Sequence, residues 1–123
     1  MIKSGIDMKR DMDLIRLMLL AIEAEPSGFY PKVEIPGYTQ AQIDYHAILL
    51  GEAGLAIVSE EHAGGGPVVT ITRLTWAGHE FLDASRENHT WDQAKDAINK
   101  VGGASISIWL ALLTQLIEKK LGL

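Results

Sequence analysis

The chain contains no cysteine, which excludes a disulfide framework, a thiolate metal site and a cysteine nucleophile. It also lacks a long apolar run. The most apolar segment, residues 106–117, carries Ser107, Thr114 and Gln115 and falls well short of the roughly 20 residues that a bilayer span needs. No secretory pattern opens the chain, because Asp11, Asp13 and Arg16 interrupt any apolar stretch there. Internal repeats and low-complexity tracts are absent. These exclusions leave a soluble protein with no membrane partner, expected in a reducing cytoplasm.

Positive charge is the scarcest resource in the middle of the sequence. Between Glu25 and Ser85 the only cations are Lys32 and Arg73, set against eight carboxylates. Lysine and arginine gather instead near the two ends, as Lys3, Lys9, Arg10 and Arg16, then Arg86, Lys95, Lys100, Lys119 and Lys120. The formal net charge of −5 therefore understates how acidic the central region is. With 123 residues, 47% of them hydrophobic and 22% charged, the chain has the composition of one ordinary globular domain with its own core.

Periodicity predicts a first helix over 9–24, with Met12, Ile15, Leu19 and Ile22 recurring at steps of three and four. Val33 and Ile35 alternate with charged neighbours, which predicts a short strand. Pro31 and Pro36 place it at a sheet edge. Thr39-x-x-Gln42 is a capping-box pattern that opens a second helix, and Gly54 supplies its left-handed exit. Residues 56–59 and 68–74 read as a hairpin whose tip is "EEHAGGGP". A short helix follows Thr75. Thr90-x-x-Gln93 predicts another cap, with a helix to about Val101, and Ser105 starts a last helix ending near Leu121.

The order helix, strand, helix, hairpin, helix resembles a winged helix. In such regulators a capped recognition helix leaves through a Leu-x-x-Ala-Gly-Leu exit, and the wing's second strand enters a Leu-Thr-x-x-Gly helix start. Leu50-Gly51-Glu52-Ala53-Gly54-Leu55 and Leu74-Thr75-Trp76-Ala77-Gly78 match both ends. The helix that usually precedes the recognition helix is replaced by the Val33–Pro36 segment. More narrowly, "MKRDMDLIR", "GYTQAQIDYH" and "RLTWAGHEFLDASR", with the terminal "KKLGL", resemble the bacterial and prophage domain-of-unknown-function family 2513. That resemblance implies no assigned activity, so it carries over no catalytic residues. It also implies that residues 1–7 are a flexible lead-in and that translation could begin at Met8.

The expected fold is therefore α+β. A winged helix-turn-helix-like domain with a three-stranded sheet and wing spans 8–87. A C-terminal helical hairpin over 88–123 packs on helix one, dimerises, or does both.

Three enzymatic patterns fail on inspection. His79-Glu80-x-x-Asp83 approaches the zinc-binding H-E-x-x-H, but Asp83 stands where the second imidazole is needed. The glycines of "GGGP" lie between two strands with no lysine after them, unlike a phosphate loop. Ser27, Ser59 and Ser85 have no nucleophile elbow around them. No catalytic, metal or cofactor residues are assigned, and the protein is expected not to be an enzyme.

Two binding functions remain. As a DNA-binding transcriptional regulator, the chain would present Gln40, Gln42, Tyr45 and Arg73 to bases, with Lys9, Arg10 and Arg16 on the backbone. DNA affinity, however, comes largely from cations on phosphates, and Asp44, Glu52, Glu60 and Glu61 occupy the would-be reading helix and wing. A protein partner is favoured, met by Gln42, Asp44, Tyr45, Glu60, Glu61 and His62. In the last helix Ile106, Leu110, Leu113 and Ile117 form one apolar stripe; Trp109, Leu112 and Leu116 form a second. That second stripe, with help from Trp91, is expected to make a homodimer.

Overall fold

The computed structural model describes residues 8–123. The lead-in over residues 1–7 lies outside the described residues. Among the described residues five helices and a two-stranded antiparallel sheet make an α+β arrangement. It forms two compact units, one running through His79 and the other from Glu80.

In the first unit α1 spans Met12–Glu23. It begins three residues later than periodicity suggested, because Asp11 is the cap: its carboxylate accepts from the Leu14 N–H at 3.2 Å. Leu14, Ile15, Met18, Leu19 and Ile22 are buried along one face. Burial of each such side chain contributes about 1.5–3 kcal/mol, so this stripe is a main source of the unit's stability. Helix α2 spans Gln40–Glu52 and opens with the full Thr39/Gln42 capping box. Gly54, at φ 74, closes it. The Leu55 N–H reaches the Leu50 carbonyl and the Gly54 N–H that of Gly51, the paired bonds of a Schellman exit, with Leu50 and Leu55 both buried.

Strands β1 (Ala56–Ala63) and β2 (Gly66–Leu74) form the hairpin. The ladder runs to the pair Ala63 and Gly66, so the turn shrinks to Gly64-Gly65. Glu60, Glu61 and His62 are strand residues with alternating directions, not parts of a loose tip.

The expected third strand does not form among the described residues: residues 31–35 have no regular secondary structure and join no ladder. Pro31 and Pro36 have no N–H to give. The one bond made nearby runs from the Tyr30 N–H to the Thr72 carbonyl at 2.8 Å. Thr72 is the residue that a β-bulge leaves unpaired, since Ile57 faces Arg73 while Val58 faces Ile71.

Helix α3 (Trp76–Ser85) starts on the exit of α2. The Thr75 N–H donates to the Leu55 carbonyl, and the Thr75 hydroxyl to that of Gly54. That same oxygen caps the helix by accepting from the Gly78 N–H at 3.0 Å. Gly78 is buried, and any Cβ there would overlap the Leu55 carbonyl oxygen. The two sequence motifs around Leu50–Leu55 and Leu74–Gly78 are thus the two halves of one contact.

The second unit holds α4 (Asn88–Asn99) and α5 (Ile106–Lys120). Glu87, rather than Thr90, caps α4: its carboxylate accepts from the His89 and Thr90 N–H groups. Thr90 lies inside the first turn, buried, with its hydroxyl donating to Glu87. Lys120, at the far end of α5, also meets Glu87, so the two helices run antiparallel. Lys120 first, then the Thr90 hydroxyl, holds the Glu87 carboxyl down at about 2. Trp91 and Trp109 stack with centroids 4.6 Å apart, and Phe81 meets Trp91 edge-on.

The seat of α3 yields a direct prediction. Gly78→Ala forces apart backbone that has no slack, and is expected to cost about 1–3 kcal/mol. Thermal denaturation by circular dichroism checks it. A melting temperature equal to that of the parent would contradict the seat.

Candidate interaction surface

Helix α2 is used on two sides. Inward it buries Gln42, Ile43, His46, Ala47 and Leu50. Outward it shows Ala41, Tyr45 and Glu52, with Asp44 and Ile48 half-buried between them. The spacing 41, 44/45, 48, 52 makes one helical stripe.

The inward side includes a polar link that sequence patterning did not reveal. The Asp11 N–H donates to His46 Nε2 at 2.9 Å, which leaves the ring proton on Nδ1, facing the Gln42 carbonyl at 2.8 Å. The Tyr38 hydroxyl donates to Asp11 Oδ2 at 3.2 Å. The cap of α1, the lead-in to α2 and the middle of α2 are thereby tied together. Burial, then the Asp11 carboxylate, pushes the Tyr38 phenol up to about 12. A histidine at a core position of a helix is the only sequence signal of this link, and it does not name the partner.

Of the residues singled out from the sequence, Gln42 is withdrawn from the surface. It is 6% exposed and its Oε1 accepts from the Thr39 N–H, so its carbonyl is committed to the cap and little of the side chain reaches the surface. Gln40 is exposed and donates to Asp44 Oδ1 at 2.8 Å. Tyr45 is 39% exposed. Val58 faces α2, since a Cβ on Gly51 would touch it, and alternation puts Glu60 and His62 on that face too. Glu60 and His62 meet at 3.1 Å. Glu61 points to the opposite face.

Arg73 lies away from this surface. Cross-strand pairing with Ile57 puts it on the face opposite α2, because the bulge at Thr72 reverses the alternation. Its Nη1 donates to the Leu74 carbonyl. It lines a groove with Ile22, Glu23, Trp76 and His79, where Trp76 is 82% exposed. In the second unit Trp109 is buried in the Trp91 stack and is not a surface residue, whereas Leu112 and Leu116 are half-buried.

Two grooves flank the α2 stripe. One, of about 250 Å³, lies between residues 31–34, the first half of α2 and Val69 and Ile71 of β2. The other, of about 370 Å³, runs between the last turns of α2 and β1. Among the described residues no group of His, Asp and Glu converges as a metal cage, and no helix is long and apolar enough to cross a membrane.

Comparison with known proteins adds a family. A family model described as "Hypothetical protein (DUF2513)" matches residues 9–105. The chain belongs to this family. An uncharacterized protein of Haemophilus influenzae is 34% identical over 125 residues, covering 85% of this chain and 100% of its own length. No solved structure matches.

The Tyr38 contact is measurable by titration. Its phenol is expected to ionise near 12, against the ordinary 10.0. Because the folded state raises this value, the contact's stabilisation is complete below about pH 10 and is lost as pH rises through about 12. Phenolate absorbance should show one late-ionising tyrosine that disappears in Tyr38→Phe. Three tyrosines all titrating near 10 would contradict the contact.

Proposed function

We propose that this protein is a winged-helix-like binding module that acts without catalysis and engages a protein partner through the exposed face of α2 and the hairpin. The observation that carries this reading is electrostatic. No lysine or arginine occurs between Lys32 and Arg73, while Asp44 and Glu52 lie on the outward stripe of α2 and Glu60 on the hairpin face beside it. Arg73, which a DNA reader would need beside that stripe, is carried to the other face of the hairpin. In water a phosphate 4 Å from a carboxylate is repelled by about 1 kcal/mol, and by about 4 kcal/mol at the lower dielectric of an interface. Several such encounters outweigh the hydrogen bonds that Gln40 and Tyr45 offer to bases.

The same module is proposed to pair with a second copy through α5. Ile108 is 57% exposed, and Leu112 and Leu116 follow on the same side of the helix. Trp109 is left out of that interface because it is already covered.

Two measurements test these readings. Random duplex DNA, offered at low and then moderate salt, is expected not to be retained. Micromolar binding that weakens steeply with salt would replace the protein-partner reading with the DNA-binding one. Light scattering should give a dimer mass for the chain and a monomer mass for Leu116→Glu with unchanged helix content. A monomer mass for the parent at high concentration refutes the pairing.

A further inference from the structure

Strand β1 has eight residues and, among the described residues, pairs with β2 alone. Its far edge therefore presents unpaired backbone N–H and C=O groups, the template on which a further strand can form. Proteins usually blunt such an edge with lysine, proline or a bulge. Strand β1 has no lysine and no proline, and the bulge sits on β2. The charged side chains it does carry, Glu60 and Glu61, are carboxylates on opposite faces of the strand.

Beside this edge runs the groove of about 370 Å³, lined by Ile48, Gly51 and Glu52 of α2 and by Ile57, Val58 and Glu60 of β1. Gly51 sets how closely helix and strand approach, since a Cβ there would come to 3.1 Å from the Val58 Cβ. Ile48 is half-buried and Ile57 is 43% exposed, so each edge of the groove offers apolar surface without a cover. Glu52 and Glu60 rim it with negative charge.

We propose that the open edge of β1, with the groove against α2, takes an extended basic segment of a partner protein as an added strand. Backbone bonds to β1 would supply affinity, and alternate side chains would divide between the two faces: lysine or arginine toward Glu52 and Glu60 on the side of α2, apolar ones toward Ile57 on the other. A second copy of β1 is a poor occupant, because edge-to-edge pairing would bring Glu60 and Glu61 of both chains together. The proposal rests on the protein-partner reading above and names the chemistry of that partner.

The test uses the whole chain, isotope-labelled for amide spectra, and an end-blocked peptide of alternating Lys and Val matched to the eight residues of β1. Saturable shifts are expected at the amides of Ile57 to His62 and at Ile48. N-methylation of alternate peptide nitrogens on the bonding edge, and separately the pair Glu52→Lys with Glu60→Lys, should each weaken binding about tenfold. A matched Glu/Val peptide should not bind. Equal affinity for the N-methylated peptide, or silent β1 amides at millimolar peptide, overturns strand addition. Shifts confined to Asp44 and Tyr45 overturn strand addition while sparing the protein-partner reading. Saturable shifts of the same amides on addition of duplex DNA alone, without peptide, overturn that reading and the proposal together.

Discussion

The contact on which the first unit depends is the seat of α3 on the exit of α2. Gly78 lies against the Leu55 carbonyl, and Thr75 bonds the carbonyls of both Gly54 and Leu55. A helix exit, a strand start and a helix start meet there, with the Thr75 hydroxyl joining the exit of α2 to the first turn of α3. The hairpin leaves from that point and returns to it, so its position beside α2 is set by backbone and not by surface side chains. On the opposite flank, His46 and Tyr38 bind Asp11 and fix α2 to the start of α1. With both flanks committed, only the stripe from Ala41 to Glu52 is left to face outward.

That arrangement decides the chemistry of the surface. Carboxylates at Asp44, Glu52 and Glu60 share the region where α2 and the hairpin meet, and screening at physiological salt extends only about 8 Å, so each acts on whatever docks directly upon it. The bulge at Thr72 matters as much as any charge. It carries Leu74 inward to the core and Arg73 away from α2, in one residue's worth of extra chain. The surface where α2 meets the hairpin is thus rich in carboxylates and has no arginine beside it.

Local chemistry was legible in the sequence. Thr39 and Gln42 cap α2 through side chains three residues apart, and Gly54 exits it at positive φ; both signals need no tertiary context. Where tertiary context competes, the sequence was a poorer guide. Thr90 has the pattern of a cap but is needed inside, and Glu87 does the capping with help from Lys120, a distant residue. Val33 and Ile35 alternate like a strand, yet the flanking prolines deny the segment its ladder. Gln42 looked like a reading residue because its cap bond and its burial are the same event. The direction of Arg73 was hidden, since a bulge has no one-residue signature. Trp109 looked available on a helical wheel and is instead consumed by stacking on Trp91.

The most direct test of the central claim reverses the charge on this surface while leaving its backbone seat intact. Duplex DNA affinity should be measured for the parent and for a variant combining Asp44→Lys, Glu52→Lys and Glu60→Lys, with circular dichroism confirming unchanged helix content. The variant is expected to gain salt-sensitive DNA binding that the parent lacks. Parent affinity equal to or greater than the variant's would contradict it.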